Sequence, residues 1–231
     1  NDRVGSMEKK KTKESQYQEL LDLESLVGRT QFGLMSNQVW HDDPKRLVFM
    51  LSRYKFVSRL LEGKSSALEI GCADAFGSRI VRQTVPNITA IDFDPVFIKD
   101  AKSRQEDEWS LDLRVHDILD GPVVGEFEAA YCVDVLEHIA TESEEIFIKN
   151  VVASIDPNGM AIFGMPSLES QKYASEQSKI GHINCKSGDQ LKDLMQKHFY
   201  NAIVFSMNDE VVHTGYYPMA HYLFAVCCGC R

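Results

Sequence analysis

An open α/β sheet of seven strands, parallel except for the last and sandwiched between two helix layers, is the fold class this chain predicts. Three observations carry it. Apolar runs of strand length alternate with helical periodicity from about residue 66 onward. The first of those runs, Leu68 and Ile70 around Glu69, ends in Gly71 and opens directly into a helix-like segment with Ile80, Val81 and Val85, the start of a βα unit. The chain closes on two β-rich runs joined by a loop, which puts an antiparallel strand last.

Each element follows from its residues. Residues 1–6 read as an expression scar with Met7 the natural start, and they are excluded from the fold. Residues 7–30 are polar, with a weakly amphipathic patch at Tyr17, Leu20, Leu21, Leu23 and Leu26 that suits a mobile helix. Residues 32–41 are apolar and aromatic without clean periodicity; they suit either a segment across a pocket mouth or an arm packed on the domain. Asp43 then caps a helix with Pro44 at its first position, and Gly63 stops it. Residues 7–63 are therefore expected as a helical cap or lid, and residues 64–231 as the main domain.

Within that domain, residues 88–92 predict the second strand, and Asp94 with Pro95 caps the next helix. Residues 111–116 predict the third strand and 127–133 the fourth. A helix with Ile146, Phe147, Val151 and Val152 leads to the turn Asp156-Pro-Asn-Gly159, which opens the fifth strand at 160–165. A polar insertion spans 166–185. Ser187 and Gln190 have the capping-box spacing for a helix to Phe199, and 202–207 and 222–228 are the last strands.

Bulk properties narrow the function. A formal charge of −9 and a pI near 5.3 argue against nucleic acid or an anionic membrane as partner, since either needs a basic patch. A small-molecule acceptor is the expected partner, with a homodimer left open. No apolar run is long enough to span a bilayer and no secretory signal is legible, so a cytoplasmic protein is expected. The six cysteines do not form a disulfide framework. The group at 227, 228 and 230 reads as a strand end and tail, with a soft-metal site as its alternative.

Ligands of open α/β sheets bind beyond the carboxyl ends of the strands, and here four successive strand ends carry acids. They are Glu69 to Asp74, Asp92, Asp117 and Asp134. Such a cluster repels phosphate and suits hydroxyls, an amine and a cationic centre. Asp92, about 20 residues after the glycine turn, is placed to accept from ribose hydroxyls. Asp117 can accept from an adenine amine, with Ile118 offering a backbone N–H and an apolar face. Together these demands describe S-adenosylmethionine.

At this point residues 65–167 resemble the class I, Rossmann-like S-adenosylmethionine-dependent methyltransferases. Leu68-Glu-Ile-Gly-Cys-Ala-Asp-Ala-Phe-Gly77 resembles the first motif of that family, with Ala73 and Ala75 where glycines are usual. Alanine costs little there if the local φ stays negative. Ile91-Asp92, Val115-His-Asp-Ile118 and Val133-Asp-Val-Leu-Glu-His-Ile139 resemble three further motifs in order. The resemblance implies cofactor contacts from Glu69, Gly71, Cys72, Ala73, Asp74, Asp92, Phe93, Asp117, Ile118 and Asp134, and methylation of an oxygen or nitrogen on a small polar acceptor such as a sugar or nucleotide-linked sugar.

His138 is the first candidate base, with helix support as its alternative role, and His182 is a second candidate. Asp134, Glu137 and His138 share a face if a helix begins at once, and with His182 they form a metal-competent set. Resembling sequences in the quinone-precursor branch have glutamate in the first place, so no metal is favoured. A metal-assisted O-methyltransferase of a quinone-precursor-like substrate is kept as an alternative. Trp40, His41 and Tyr54 from the N-terminal side, and His213, Tyr216, Tyr217 and His221 from the late loop, are candidates for an acceptor pocket or for plain packing. Two other functions compete: a nicotinamide-dependent oxidoreductase, for which the glycine fingerprint is missing, and a non-catalytic S-adenosylmethionine-binding module, which the two missing glycines motivate.

Overall fold

A computed structural model describes residues 10–231, so the expected scar and the start at Met7 lie outside the described residues. The chain divides into two units, one running to Gln31 and the other Phe32–Arg231. The first holds a 3-10 turn and helix α1, Gln18–Val27, none of whose side chains is buried.

The second unit begins with α2, Leu34–Asp42, and α3, Pro44–Leu60. Asp43 accepts from Lys45 N, the cap the Asp-Pro pair predicts. Its sheet contains β1 Ser66–Ile70, β2 Asn87–Asp92, β3 Asp112–Val115, β4 Ala129–Val133, β5 Met160–Pro166, β6 Phe199–Asn208, β7 Val211–His213 and β8 Tyr222–Cys230. The helices between them are α4 Ser78–Arg82, α5 Pro95–Ser103, α6 Glu144–Ser154, α7 Glu176–Gly181 and α8 Gly188–Gln196.

The strand order is β3-β2-β1-β4-β5-β8-β6-β7. The sheet thus has eight strands rather than seven. The extra one, β7, is three residues long, too short to show a period, and pairs antiparallel with β6. β8 is antiparallel to both β5 and β6, as expected of the final strand. His213, assigned from sequence to the late loop, therefore lies in a strand.

Alternation sets the two faces. Leu68 and Ile70 join a core with Phe147, Val151, Leu191 and Met195 from α6 and α8. Ala67 faces the opposite core, with Tyr54, Val57, Val81 and Ile98 from α3, α4 and α5. Fully buried aromatic side chains such as Phe147 and Phe163 anchor the first core, and truncating either to alanine should cost about 3–5 kcal/mol. The chain runs outward through β2 and β3 and returns to β4, so the topological switch lies between β1 and β4, where their carboxyl ends open.

The caps written in the sequence recur here. Asp94 accepts from Val96 N at 2.8 Å, Gly159 N donates to Asp156 O at 2.7 Å, and Ser187 and Gln190 form the capping box of α8. Cys227, Cys228 and Cys230 belong to β8 and are free thiols, which matches the strand-end reading. No helix among the described residues is long and apolar enough to cross a membrane.

Candidate functional site

The loop at residues 71–77 leaves β1 at the switch point. Gly71 N and Cys72 N both donate to Ile91 O, at 2.8 and 2.9 Å, which locks the loop to β2. Gly71 has φ +70°, and a Cβ there would lie 2.5 Å from Val135 Cγ2, so only glycine fits. Ala73 and Ala75 have φ of +46° and +53°. The negative φ on which a low cost of alanine depended is therefore absent at both positions. The left-handed region costs an L-residue about 1–2 kcal/mol, so the loop carries strain at both positions.

Neighbouring carboxylates hold the strained loop. Asp92 accepts from Ala73 N at 2.9 Å through one oxygen and from Asp94 N at 2.9 Å through the other. Burial raises its pKa against those two backbone bonds. Asp74 accepts from Phe76 N at 3.1 Å, and its other oxygen bonds Ser36 of α2. Asp74 is thus committed to protein partners and not free for a ligand.

Glu69 lies beneath the loop, 1% exposed, with Oε2 accepting from Tyr131 Oη at 2.9 Å. Oε1 is buried without a partner. Burial pushes its pKa up to about 7, against the hydroxyls of Ser78, Tyr131 and Tyr54 beside it. Tyr54, a candidate for the acceptor side, is instead a core side chain packed edge-on to Tyr131. Cys72 is buried and its thiol pKa is raised by burial, so it acts as a small apolar residue.

Around the remaining strand ends, Phe93 is exposed beyond β2, and Asp117 accepts from Leu119 N at 2.9 Å. Ile118 departs from its expected role. Its side chain is in the core and its carbonyl accepts from Asn150, so it presents no apolar face to a ligand. Asp134 also departs from expectation: at φ +59° it turns to Arg53, whose Nη1 is 2.6 Å from Oδ2. The Arg53 guanidinium stacks 3.9 Å over the Tyr222 ring. Burial pulls its pKa down, but Asp134, Tyr222 and Glu137 together outweigh that and raise it.

Loop and strand ends therefore fit the ligand expected from the acid pattern. They offer a glycine cradle, an unpartnered buried oxygen beneath it and a carboxylate on β2, with no cationic side chain in the loop itself.

A cavity of about 560 Å³ opens beside Asp134. Met35, Gln38, Val39 and Asp42 of α2 form one wall, and Arg46, Phe49, Met50 and Arg53 of α3 a second. Ser175, Gln177, Ser178, Gly181 and His182 of the insertion close the third, over Glu137, His138 and Pro166. The insertion is pinned by Lys186 and Asn184, which reach Glu144 at 2.6 and 2.7 Å.

His138 and His182 meet in this cavity, ring centroids 5.3 Å apart. His138 Nδ1 donates to Gly181 O at 2.8 Å, and His182 Nδ1 to Gln171 Oε1 at 2.9 Å. The carbonyl acceptors thus place a proton on each Nδ1, so that in the neutral imidazoles the lone pair is on Nε2, which for His138 lies 3.9 Å from Glu137 Oε1. Burial and the neighbouring His138 hold the His182 pKa below its usual value. Glu137 is fully buried with neither carboxylate oxygen partnered, and burial with Asp134 nearby raises its pKa well above the usual range. One ligand atom from each of Glu137, His138 and His182 lies within 4.8 Å of the others.

Asp134 is absent from that grouping. The residues that follow it form a 3-10 turn, Leu136–His138, rather than a helix beginning at Asp134, so the expected shared face is broken.

The late loop goes elsewhere. His213 bonds Asn208 and Gly215, Tyr217 donates to Asp189, and Tyr216 is exposed. None of the three lines the cavity, and neither do Trp40, His41 or His221. Trp40 stacks on Phe32 instead. Sequence reading missed Arg53, Ser36 and Phe49. Arg53 carried a signal, since it falls beside the apolar stripe of Met50, Tyr54 and Val57, where a charge needs a partner.

Residues 68–163 match the family model described as a methyltransferase domain. A ubiquinone biosynthesis O-methyltransferase of Xanthomonas axonopodis pv. citri (strain 306) is 29% identical over 116 residues, covering 47% of this chain and 48% of that protein. The chain thus aligns with about half the length of the curated relatives it matches. The N-methyltransferase NodS from Bradyrhizobium japonicum WM9, solved with S-adenosyl-L-homocysteine, superposes with a TM-score of 0.62 at 19% identity, over 82% of this chain and 90% of that one. A TehB-like SAM-dependent methyltransferase from Corynebacterium glutamicum gives 0.62 at 15% identity, over 84% and 95%. At those identities the likeness is one of fold.

Proposed function

We propose that this chain, whose residues 68–163 match a methyltransferase-domain model, is a class I methyltransferase that transfers a methyl group from S-adenosylmethionine to an oxygen or nitrogen of a small polar acceptor. The observation that carries this reading is that the glycine loop after β1 and the cavity beside Asp134 after β4 lie at neighbouring strand ends, with Gly71 against Val135 and His138 in the cavity lining.

The donor supplies a sulfonium-activated methyl, so the protein's task is alignment and proton removal. Asp92 would accept from the donor's ribose hydroxyls on lone pairs its backbone bonds leave over, and Glu69 would support the loop beneath the donor's amino-acid end. In the cavity, the acceptor is held against Met35, Val39 and Phe49, and His138 Nε2 takes its proton. The mixed apolar and polar lining suits a small acceptor with a polar reactive end. The test is turnover with methyl-labelled donor against sugars, nucleotide sugars, catechols and amines. Label in any one class supports the reading; tight donor binding without transfer to any class supports the non-catalytic module.

A second reading has its own observation: two lone pairs and an unpartnered buried carboxylate converge within 4.8 Å. Glu137, His138 and His182 would hold a divalent cation, which would polarise an acceptor oxygen and keep Glu137 ionised. Chelation followed by dialysis separates the readings. Unchanged turnover supports proton removal by His138, and loss restored by a divalent ion supports the cation.

A further inference from the structure

The two sides of the site are fastened to each other. At the N-terminus of α2, Asp74 Oδ2 accepts from Ser36 N at 2.7 Å and from Ser36 Oγ at 2.8 Å, and Asp100 Oδ2 accepts from Leu34 N at 3.2 Å. Free N–H groups at a helix start are thereby satisfied by carboxylates from the loop after β1 and from α5. Arg104 ties the two acids, donating to Asp74 O at 2.6 Å and to Asp100 Oδ2 at 2.8 Å. The approach is so close that a Cβ on Gly33 would fall 2.4 Å from both Asp74 Cβ and Arg104 Nη2. Phe32 stacks on Phe76, ring centroids 5.2 Å apart.

Asp74 sits between Ala73 and Ala75, the two strained alanines. A loop with two L-residues at positive φ relaxes unless it is held from outside. Asp92 holds one end through Ala73 N. Asp74 holds the middle, and its anchor is α2. Another face of α2 presents Met35, Gln38, Val39 and Asp42 to the cavity at helical spacing.

We infer that Asp74 is a positioning residue that makes the donor loop and the acceptor-cavity wall one folding unit, so that donor binding on residues 71–77 orders α2. This rests on the methyl-transfer reading for the identity of the donor, but not for the coupling itself.

Hydrogen exchange on the full chain tests it, with S-adenosylhomocysteine as the unreactive probe. In Asp74→Ala, exchange should quicken by about tenfold or more in residues 34–42 and 71–77 together, with β4 unchanged. Probe affinity should fall by about tenfold. Adding Ala73→Gly and Ala75→Gly to that variant should recover probe affinity without restoring protection of α2, because glycine relieves the strain but supplies no anchor. Ser36→Ala, which keeps the backbone bond to Asp74, should show the same pattern more weakly and serves if Asp74→Ala does not fold. Faster exchange in residues 34–42 alone, with probe affinity intact, would reduce Asp74 to a helix cap and overturn the coupling. Wild-type protein that fails to bind the probe while both segments still loosen together would remove the methyl-transfer reading and leave the coupling standing.

Discussion

The donor side and the acceptor side of the site differ in how far apart in sequence their parts lie. The loop at 71–77, its strand and Asp92 come from one βαβ unit, and the backbone and Asp92 bonds that lock the loop to β2 join nearby residues, 19 apart for Ala73 and Asp92. The acceptor cavity joins α2, α3, the turn after β4 and the insertion, with Arg53 meeting Asp134 across 81 residues. Local patterns therefore build the first region, and tertiary assembly builds the second. A change on the donor side should act through backbone geometry, and one on the acceptor side through proton transfer and charge pairing.

The largest effect is expected at Gly71. Gly71→Ala combines left-handed strain with a clash at Val135, about 3 kcal/mol in all, which weakens donor affinity by about 100-fold or more. Titration with S-adenosylmethionine reads it; unchanged affinity would place the donor elsewhere. His138→Ala breaks the comparison the other way. It should lower kcat by about 100-fold while donor affinity holds, and a parallel fall in donor affinity would mean that His138 supports the fold.

Glu69 gives a smaller, pH-dependent effect. Its folded pKa of about 7 lies above the unfolded carboxyl value, so the native state binds more protons between about pH 4.5 and 7. Stability is fullest below that window and falls as pH rises through it, by about 3 kcal/mol. Glu69→Gln should flatten that fall, leaving the share that Glu137 contributes. Denaturant melts at pH 5 and pH 8 measure it, and an unchanged slope would mean Glu69 is not the titrating group. Arg53→Met comes last. It leaves Asp134 unpaired beside Glu137, at a cost of about 2 kcal/mol given the partial exposure of the pair. Donor affinity should hold, and its loss would join the two regions through Arg53.

The same contrast explains what was legible in the sequence. Strand and helix order, the Asp-Pro caps and the capping box of α8 all follow from neighbours in the chain, and all are present. The four acidic strand ends were located correctly, but not their partners. Asp74 is taken by Ser36, 38 residues away, and Asp134 by Arg53. No period encodes such pairs. The sign of φ at Ala73 and Ala75 was equally hidden, since side-chain type favoured the opposite sign. Helix α2 lacked a period because Ser36 is its one buried residue. The aromatic, histidine-containing late loop looked like a pocket by composition, yet its groups satisfy one another and α8.

The central claim is that the loop at 71–77 holds a methyl donor at the mouth of the cavity that contains His138. Isothermal titration of S-adenosylmethionine into wild type, Gly71→Ala and His138→Ala tests it most directly. Saturable binding by wild type and His138→Ala, with binding lost in Gly71→Ala, is the predicted result. No heat from wild type at millimolar donor, or equal binding by all three proteins, would contradict it.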